Sequence, residues 1–403
     1  MRIAIIDHVG NPGGGCRYLR NLLLHLRAAA PALQMTFFGN PVSIARENLR
    51  AEFTDARIDI QPLRSLALLR PILKLPRAQY LVQAIQRHFT ANLTWLPTWL
   101  TGAVHQELES KLRNFDLAFF PWPYFLRLPR LSIPMVAVFH DMNFRYQFSG
   151  SGFAPESLKQ LDADIPQWLE RTTPIVSTHF IRSEVEKFYP GMGAKTHVIH
   201  LGPLSQVDKP LELTEARRIV DALGVPQNYL LYPTNISPHK NLGPLFSAIH
   251  LLNIPLVLIG YGTERLHGRA CDIGLVRNAP NPNVFGLGYL TNRQTDALIR
   301  CARIVVSTSL YEAGNGPGLD AWHMGTPVAM SNIPAFLEHC QIQGVKAQIF
   351  DPRSPRDIAD KLDALLANPA LAAANAQHSR EAIASWSWPR VAAKYLDVFH
   401  AAR

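Results

Sequence analysis

The chain has 403 residues, of which 47% are hydrophobic and 18% are charged, a composition typical of a globular protein with two domains of about 200 residues each. The net charge of +9 is not accompanied by a helix-turn-helix, zinc-finger or RNA-recognition pattern, so we expect no nucleic-acid partner. Four widely separated cysteines argue against a zinc site or disulfide framework, and the lack of a signal-peptide pattern or long apolar run predicts a cytoplasmic location.

The first half of the chain alternates strands with helices, which is typical of a parallel, doubly wound sheet. It opens with a strand over residues 3–7, a glycine loop over 10–15 and a helix over about 17–30. Further strands are predicted over residues 35–38, 117–120, 135–139, 174–177 and 197–200.

The opening glycine loop lacks the G-x-G-x-x-G spacing of dinucleotide-binding folds. The second strand ends in Phe38-Gly39-Asn40, without an acidic residue for a ribose, which argues against a dehydrogenase. Backbone N–H groups at Gly14 and Gly15 could still receive a phosphate or a sugar, and a tight turn without a ligand is the alternative.

The second half repeats the strand–helix alternation and predicts a second doubly wound domain. Its strands are expected over residues 229–232, 256–259, 284–285, 304–307, 328–329 and 348–350. The domain boundary is expected near residues 202–213, where Gly202-Pro203 and Lys209-Pro210 interrupt regular structure.

A lysine follows the first strand of the second domain. Lys240 stands at the head of a helix predicted from about Leu242, after the loop over residues 233–239. An ammonium in that position could reach an anion beyond the strand and neutralise a departing diphosphate. The alternative for Lys240 is an ordinary solvated surface lysine.

The most informative motif lies between Glu312 and Asp320. These carboxylates flank a glycine-proline turn that follows the strand over residues 304–307 and precedes a short helix predicted over residues 319–324. Glycines allow close approach of a ligand, and Pro317 suits a first helical position. The turn is therefore predicted to aim several free backbone N–H groups at one point, where a phosphate could bind. Carboxylates beside such a site suit a nucleotide-sugar, whose hydroxyls need acceptors beside the diphosphate, and so indicate glycosyl transfer.

With these residues the chain resembles glycosyltransferase family 4, a group of retaining, nucleotide-sugar-dependent enzymes. The resemblance is strong over residues 229–340 and weak over 40–130. The two acidic residues of the family's motif match Glu312 and Asp320, with Asp where the family usually has Glu. The lysine of its basic pair falls on Lys240, and the arginine falls on Asn235. Further matches are Gly14-Gly15, His140-Asp141 and Gly260-Tyr261-Gly262.

The resemblance implies an α/β protein with the GT-B fold, in which two doubly wound Rossmann-like domains face each other across a cleft. Residues 1–205, completed by a C-terminal helix over about 388–403, would bind the acceptor. Residues 206–387 would bind the nucleotide-sugar donor. No cofactor and no metal ligand are expected.

The resemblance also implies roles for individual residues. The catalytic residues would be Glu312, which binds donor-sugar hydroxyls, Lys240, which holds the diphosphate, and His140 on the acceptor side. Asp320 would accept hydrogen bonds from the ribose hydroxyls. The donor-binding set would be Asn235, Lys240, Tyr289, Leu290, Gly316, Pro317, Gly318, Leu319 and Asp320, and Gly14 and Gly15 would form a phosphate or acceptor loop.

The implied activity is metal-independent transfer of a hexose to a glycan or lipid-linked acceptor, in the synthesis of cell-surface polysaccharide or lipopolysaccharide. A non-catalytic carbohydrate- or nucleotide-sugar-binding protein stays open because Asn235 replaces an arginine. A sugar-nucleotide epimerase of GT-B architecture is a further alternative. A metal-dependent GT-A transferase would use Asp162-Ala163-Asp164, but the predicted helix over residues 155–171 favours a solvated face there. GDP-mannose, UDP-hexose and dTDP-deoxyhexose all remain open as donors.

A basic, apolar segment extends from Ile60 to Gln106. It contains no acidic residue, and its basic residues stand among leucines and tryptophans such as Trp95 and Trp99. This composition favours peripheral contact with an anionic membrane on the cytoplasmic face, and a helical lid over the acceptor site is the alternative.

Overall fold

The computed structural model describes residues 1–8, 14–39, 49–67, 96–124, 126–146, 155–205, 210–268 and 282–403. The chain divides into two compact units. Unit 1 comprises Met1–Arg145, Gly152–His200 and Pro389–Arg403, and unit 2 comprises Tyr146–Ser151 and Leu201–Trp388. Each unit is built around one parallel sheet.

The sheet of unit 1 has the strand order β3-β2-β1-β4-β5-β6-β7. Its strands are β1 Arg2–Asp7, β2 Gln34–Gly39, β3 Asp59–Pro62, β4 Leu117–Phe120, β5 Met135–Val138, β6 Thr173–Val176 and β7 His197–Val198. The chain leaves β1 towards β2 and β3 and then returns to the other side of β1 for β4. The carboxyl ends of β1 and β4 therefore border the topological switch point, where doubly wound sheets bind ligands.

The described helices of unit 1 up to residue 200 are α1 Gly14–Ala29, α2 Leu49–Asp55, α3 Arg64–Ala67, α4 Leu96–Lys111, α5 Pro155–Arg171 and α6 His179–Phe188. Helix α1 buries Leu19, Leu22, Leu23 and Leu26, whose spacing places them on one face. That face supplies the apolar stripe by which a helix packs against the core.

The sheet of unit 2 has the order β10-β9-β8-β11-β12-β13. Its strands are β8 Leu230–Pro233, β9 Leu256–Ile259, β10 Val284–Gly286, β11 Ile304–Ser307, β12 Val328–Ser331 and β13 Gln348–Phe350. Its helices in the described part are α7 Leu213–Ala222, α8 Leu242–Leu252, α9 Asn292–Cys301, α10 Gly316–Met324, α11 Pro334–Glu338, α12 Pro355–Ala367 and α13 Pro369–Ile383. The switch point of this sheet lies between β8 and β11.

Both faces of the unit 2 sheet are buried. Alternate residues of β8 separate into two apolar clusters: Leu231 joins one with Trp322, and Leu230 joins the other with Phe246. This two-sided burial explains why the strands read as continuous apolar runs in the sequence. It leaves the ends of the strands as the place for polar side chains.

The last helix, α14 (Trp388–Ala401), contributes side chains to unit 1. Tyr395 and Phe399 both contact the ring of Phe119 in β4, with centroids 5.9 and 5.2 Å away. The hydroxyls of Tyr395 and Tyr18 lie 2.7 Å apart in the core. Helix α14 thus packs into the hydrophobic core of unit 1, although it follows unit 2 in the sequence.

The predicted α/β architecture of two doubly wound sheets is confirmed. The predicted strands lie within two residues of their observed bounds, and β3 is an addition in a segment where no strand was predicted. Among the described residues, no helix combines the length and apolar content that crossing a membrane requires. Most of the basic, apolar segment from residue 60 to 106 lies outside the described residues.

Candidate functional site

An ion pair lies at the switch point of unit 2. Lys240 follows β8 and Glu312 follows β11, and because these strands are neighbours, their carboxyl ends meet. The Lys240 ammonium donates to Glu312 Oε1, and the two side chains are only 16% and 19% exposed. Ser309 Oγ donates to the same oxygen at 2.6 Å, and the Ser309 and Tyr232 hydroxyls are 2.8 Å apart. The predicted catalytic residues Lys240 and Glu312 are therefore in direct contact.

The backbone around Lys240 is fixed by the strand ends on either side. The turn Pro238–Lys240 closes at Asn241, which adopts a left-handed conformation (φ 55°) that asparagine tolerates. Thr308 Oγ1 donates to Lys240 O at 3.1 Å, and Leu310 N–H donates to His239 O at 2.7 Å. The loop after β11 thus holds the loop after β8 in place, which fixes the backbone from which the Lys240 side chain extends.

Two polar neighbours of Lys240 do not add positive charge. Asn235, where the sequence resemblance predicts an arginine, accepts a hydrogen bond from Ser237 N–H through Oδ1 at 2.9 Å and so shapes the loop. Burial lowers the pKa of His239 to about 4, so its imidazole is neutral at neutral pH. In this loop the positive charge comes from Lys240.

The glycine turn differs from the prediction of several free N–H groups. Helix α10 begins at Gly316, and Asn315 caps it by accepting from Gly318 N–H through Oδ1 at 3.0 Å. Leu319 N–H donates to Asn315 O at 2.8 Å, and Pro317 has no N–H. The expectation that the backbone of residues 316–319 is free is therefore wrong. Gly316 retains an N–H that makes no hydrogen bond to the described residues.

Glycine at position 318 is required by the cap itself. A Cβ there would lie 2.3 Å from the Asn315 amide nitrogen. An asparagine one residue before the helix is a recognised capping signal, so Asn315 could have been identified from the sequence. The Asn315 side chain therefore closes the first turn of α10, whose positive end lies after β11.

Asp320 is buried inside unit 2. Its Oδ1 accepts a hydrogen bond from Ser205 N–H at 2.7 Å, and Ser205 Oγ donates to Asp296 Oδ2 at 3.0 Å. Ser205 and Asp296 were not predicted, because contacts across such sequence distances leave no local signal. The second acid of the motif therefore fastens the start of unit 2 to α10, and its contact with a ribose stays a prediction.

Two tyrosines are displayed at the outer strands of the same sheet edge. Tyr261 follows β9 and Tyr289 follows β10, and they are 52% and 56% exposed with ring centroids 6.3 Å apart. Gly260 is essential here, because a Cβ would lie 1.9 Å from Thr234 O. Leu290 is partly buried against the core. These exposed rings could contact a flat ligand such as a nucleobase.

In unit 1, the predicted residue His140 lies beyond the end of β5. Its Nε2 donates to Pro121 O at 2.9 Å, and its ring stacks on Trp122 with centroids 3.8 Å apart. Tyr18 of α1 contacts the same imidazole edge-on at 5.0 Å. Burial lowers the pKa of His140 to about 4. His140 is therefore a neutral histidine in an aromatic setting at the strand ends.

Gly14 and Gly15 are the first residues of α1, so their N–H groups belong to a helix N-terminus. The preceding loop residues 9–13 lie outside the described residues. The observed helix starts earlier than the predicted residue 17. The role of these glycines as a phosphate or acceptor loop stays a prediction.

The Asp162-Ala163-Asp164 segment lies in helix α5, as predicted. Asp162 pairs with Arg145 at 2.7 Å, while Asp164 accepts from Gln160 at 2.8 Å. Asp164 is buried, which corrects the expectation of a solvated face. The two carboxylates have separate protein partners.

Comparison with known proteins adds a sequence match and a fold match. Residues 214–382 match the profile of the family described as glycosyl transferases group 1. Unit 2 is similar in sequence to group 1 glycosyl transferases. The matched segment contains Lys240, Glu312 and Asp320. No curated protein sequence is detectably similar to the chain.

Several solved structures share the fold over the whole chain. The Anabaena protein HepE (Alr3699), in complex with UDP and glucose, is 15% identical, with a TM-score of 0.69 and 100% of both chains covered. Sucrose-phosphate synthase from Thermosynechococcus elongatus is 16% identical, with a TM-score of 0.69 over 100% of this chain and 98% of that one. WaaG, a glycosyltransferase involved in lipopolysaccharide biosynthesis, is 12% identical, with a TM-score of 0.68 over 99% of both chains. The predicted GT-B fold class is confirmed.

Proposed function

We propose that this protein is a retaining glycosyltransferase that moves a hexose from a nucleotide-sugar to a glycan or lipid-linked acceptor. The observation that carries the proposal is the sheltered pair of Lys240 and Glu312 at the switch point of unit 2. A cation for a diphosphate and a carboxylate for sugar hydroxyls are held together there, in a segment that matches group 1 glycosyl transferases.

The reaction is a displacement at the anomeric carbon. The acceptor oxygen bonds to that carbon while the bond from the carbon to the diphosphate oxygen breaks, and the electron pair leaves with the diphosphate. The acceptor proton passes to a departing diphosphate oxygen on the same face of the sugar, so configuration is retained. Lys240 and the N-terminus of α10 stabilise the growing negative charge without a metal ion.

The ion pair also suits the binding of a donor. Glu312 partly neutralises Lys240 and accepts a hydrogen bond from Ser309. A bound diphosphate replaces the carboxylate as the partner of Lys240, and the sugar hydroxyls donate to Glu312. Ligand binding therefore exchanges one set of charged hydrogen bonds for another, which keeps both side chains oriented for the reaction.

The remaining assignments follow the same scheme. Asp320 and the Tyr289-Leu290 segment contact the ribose and the base, and His140 contacts the acceptor side. Cell-surface polysaccharide or lipopolysaccharide is the proposed product, and WaaG, a fold neighbour, acts in lipopolysaccharide biosynthesis. A UDP-hexose is the first donor to test, since HepE has been crystallised with UDP-glucose.

A second candidate is a non-catalytic nucleotide-sugar-binding protein. It is favoured by Asn235, whose Oδ1 is committed to Ser237 N–H where the family has an arginine for the diphosphate. The two candidates differ in turnover. A transferase hydrolyses its donor slowly in the absence of acceptor, whereas a binder leaves it intact.

A thermal-shift screen with UDP, GDP and dTDP tests the proposal. A ligand at about 100 times its Kd adds about 2.7 kcal/mol of stability. We expect one of the three nucleotides to raise the Tm of the wild type and to raise it less in Lys240→Met. The matching nucleotide-sugar should then be consumed. If none of the three nucleotides shifts the Tm, the assignment of the site is wrong.

A further inference from the structure

Two histidines in unit 1 share one unusual arrangement. His140 Nε2 donates to Pro121 O at 2.9 Å, and His8 Nε2 donates to Tyr124 O, also at 2.9 Å. Both carbonyls belong to the segment that follows β4. This segment therefore holds one histidine from the end of β1 and another from beyond the end of β5.

These hydrogen bonds fix the protonation state of both rings. A carbonyl oxygen accepts and cannot donate, so Nε2 carries the proton in each ring and Nδ1 is a bare acceptor. Burial lowers both pKa values to about 4, so neither ring is charged at neutral pH. His8 Nδ1 is buried and makes no hydrogen bond to any described residue. A buried hydrogen-bond acceptor without a hydrogen-bond donor is unusual in a folded protein.

The position of His8 is that of a ligand-binding residue. It directly follows β1, whose carboxyl end borders the switch point of unit 1 together with β4. The Tyr124 hydroxyl donates to Asp141 O at 2.7 Å and accepts from Asp141 N–H at 3.1 Å, which ties the His8 contact to the residue after His140. Trp122, stacked on His140, provides an apolar ring surface at the same edge.

We propose that His8 is a further acceptor-side positioning residue, whose Nδ1 accepts a hydrogen bond from a hydroxyl of an uncharged, sugar-like acceptor. The proposal rests on the proposed function, and it identifies the class of acceptor group that unit 1 recognises. A neutral hydrogen-bond-accepting nitrogen, at a sheet edge that also carries the aromatic ring of Trp122, suits the hydroxyls and the C–H face of a carbohydrate. It offers nothing to a phosphate or carboxylate, which would need hydrogen-bond donors or positive charge.

The first test is the tautomer, which does not depend on activity. Nitrogen-15 NMR of the histidine-labelled full chain at neutral pH distinguishes Nε2-protonated, Nδ1-protonated and charged rings. His8→Gln identifies the His8 signals. We expect His8 to be neutral and protonated at Nε2, and its Nδ1 signal to shift when methyl hexopyranosides are added. A charged or Nδ1-protonated His8, or a signal that no sugar moves, would overturn the proposal.

The second test compares two substitutions. In His8→Gln the side-chain amide can still donate to Tyr124 O but leaves the Nδ1 position without an acceptor. In His8→Asn an oxygen takes the place of Nδ1 while the contact with Tyr124 is lost. We expect His8→Gln to raise the acceptor KM by about five- to tenfold, the worth of one hydrogen bond, and His8→Asn to raise it less. A purely structural His8 gives the opposite order.

His378→Gln is the matched control, because His378 Nε2 donates to Gly344 O at 2.9 Å on the exposed side of helix α13 in unit 2. Its acceptor KM should equal that of the wild type. If the wild type consumes no nucleotide-sugar, either with a methyl hexopyranoside or by slow hydrolysis without one, the proposed function fails. If the wild type transfers and His8→Gln has an unchanged acceptor KM, the role of His8 fails while the proposed function stands.

Discussion

Replacing Lys240 by methionine should destabilise unit 2 through Glu312. The change keeps most of the apolar part of the lysine side chain but removes its charge. The mostly buried Glu312 carboxylate then keeps the neutral Ser309 hydroxyl as a hydrogen-bond donor but loses its cation. Breaking a fully buried pair costs about 3–5 kcal/mol, and breaking an exposed one costs about 0–1 kcal/mol. With side chains 16% and 19% exposed, we expect a loss of about 2 kcal/mol.

The double variant Lys240→Met/Glu312→Gln removes the unpaired charge as well. It should therefore be no less stable than Lys240→Met alone, which gives a coupling energy of about 1–2 kcal/mol between the two positions. Hydrogen exchange of the β8 and β11 amides measures the loss within unit 2, because a chain of two units need not unfold in one step.

The pair formed by Arg356 and Asp360 is the matched control in the same unit. It is 3.0 Å long, lies on helix α12 and is 78% and 56% exposed. Its coupling energy should be about 0.3–0.5 kcal/mol. If the losses at Lys240 and Glu312 add within about 0.5 kcal/mol, the two residues do not form the sheltered pair on which the site depends.

Four further outcomes are expected. Asp320→Asn should keep the hydrogen bond from Ser205 N–H. It should raise the KM for the nucleotide-sugar by roughly tenfold at unchanged kcat, because an amide oxygen accepts hydrogen bonds less strongly than a carboxylate. Steady-state kinetics that match the wild type would contradict this. Transfer should survive excess EDTA, and a complete loss restored by Mn²⁺ would indicate a metal-dependent enzyme. His8 and His140 have folded pKa values of about 4, below the unfolded value of 6.5. Because the unfolded state binds protons more readily, each histidine should reduce the free energy of unfolding of unit 1 by about 2 kcal/mol as the pH falls from about 7 to about 5. Amide protection factors in unit 1, corrected for the intrinsic exchange rate, that do not change with pH would exclude two neutral histidines. The segment over residues 60–106 should carry the protein onto anionic liposomes at low salt and release it as salt rises; equal recovery in the supernatant with and without liposomes would leave no membrane contact.

The architecture could be predicted because its signals are local. Apolar strands alternating with helices indicate a parallel sheet wherever they occur. Strand β3 was missed because it is short and has an exposed aspartate and a proline at its ends.

The candidate site was predictable only in part. Lys240 and Glu312 stand directly after strands, and their meeting follows once β8 and β11 are neighbours. The burial of Asp320 against Ser205 depends on packing between distant segments, which no local pattern records. The role of Asn315 was missed because the glycines around it suggested a phosphate loop. Its side chain accepts a hydrogen bond from Gly318 N–H, one of the groups that the phosphate was expected to contact. His8 follows a strand as Lys240 does, but a single histidine gave no reason to look there.

The central claim is that unit 2 holds a nucleotide-sugar at Lys240 and Glu312 and transfers its sugar with retention. Proton NMR of a reaction containing UDP-glucose, GDP-mannose or a dTDP-deoxyhexose with a methyl hexopyranoside follows both the donor and the anomeric configuration of the product. We predict that one donor is consumed, that the new linkage has the donor's anomeric configuration, and that Glu312→Gln abolishes product formation while still binding the nucleotide. A product of inverted configuration, or equal turnover by Glu312→Gln, would contradict the claim.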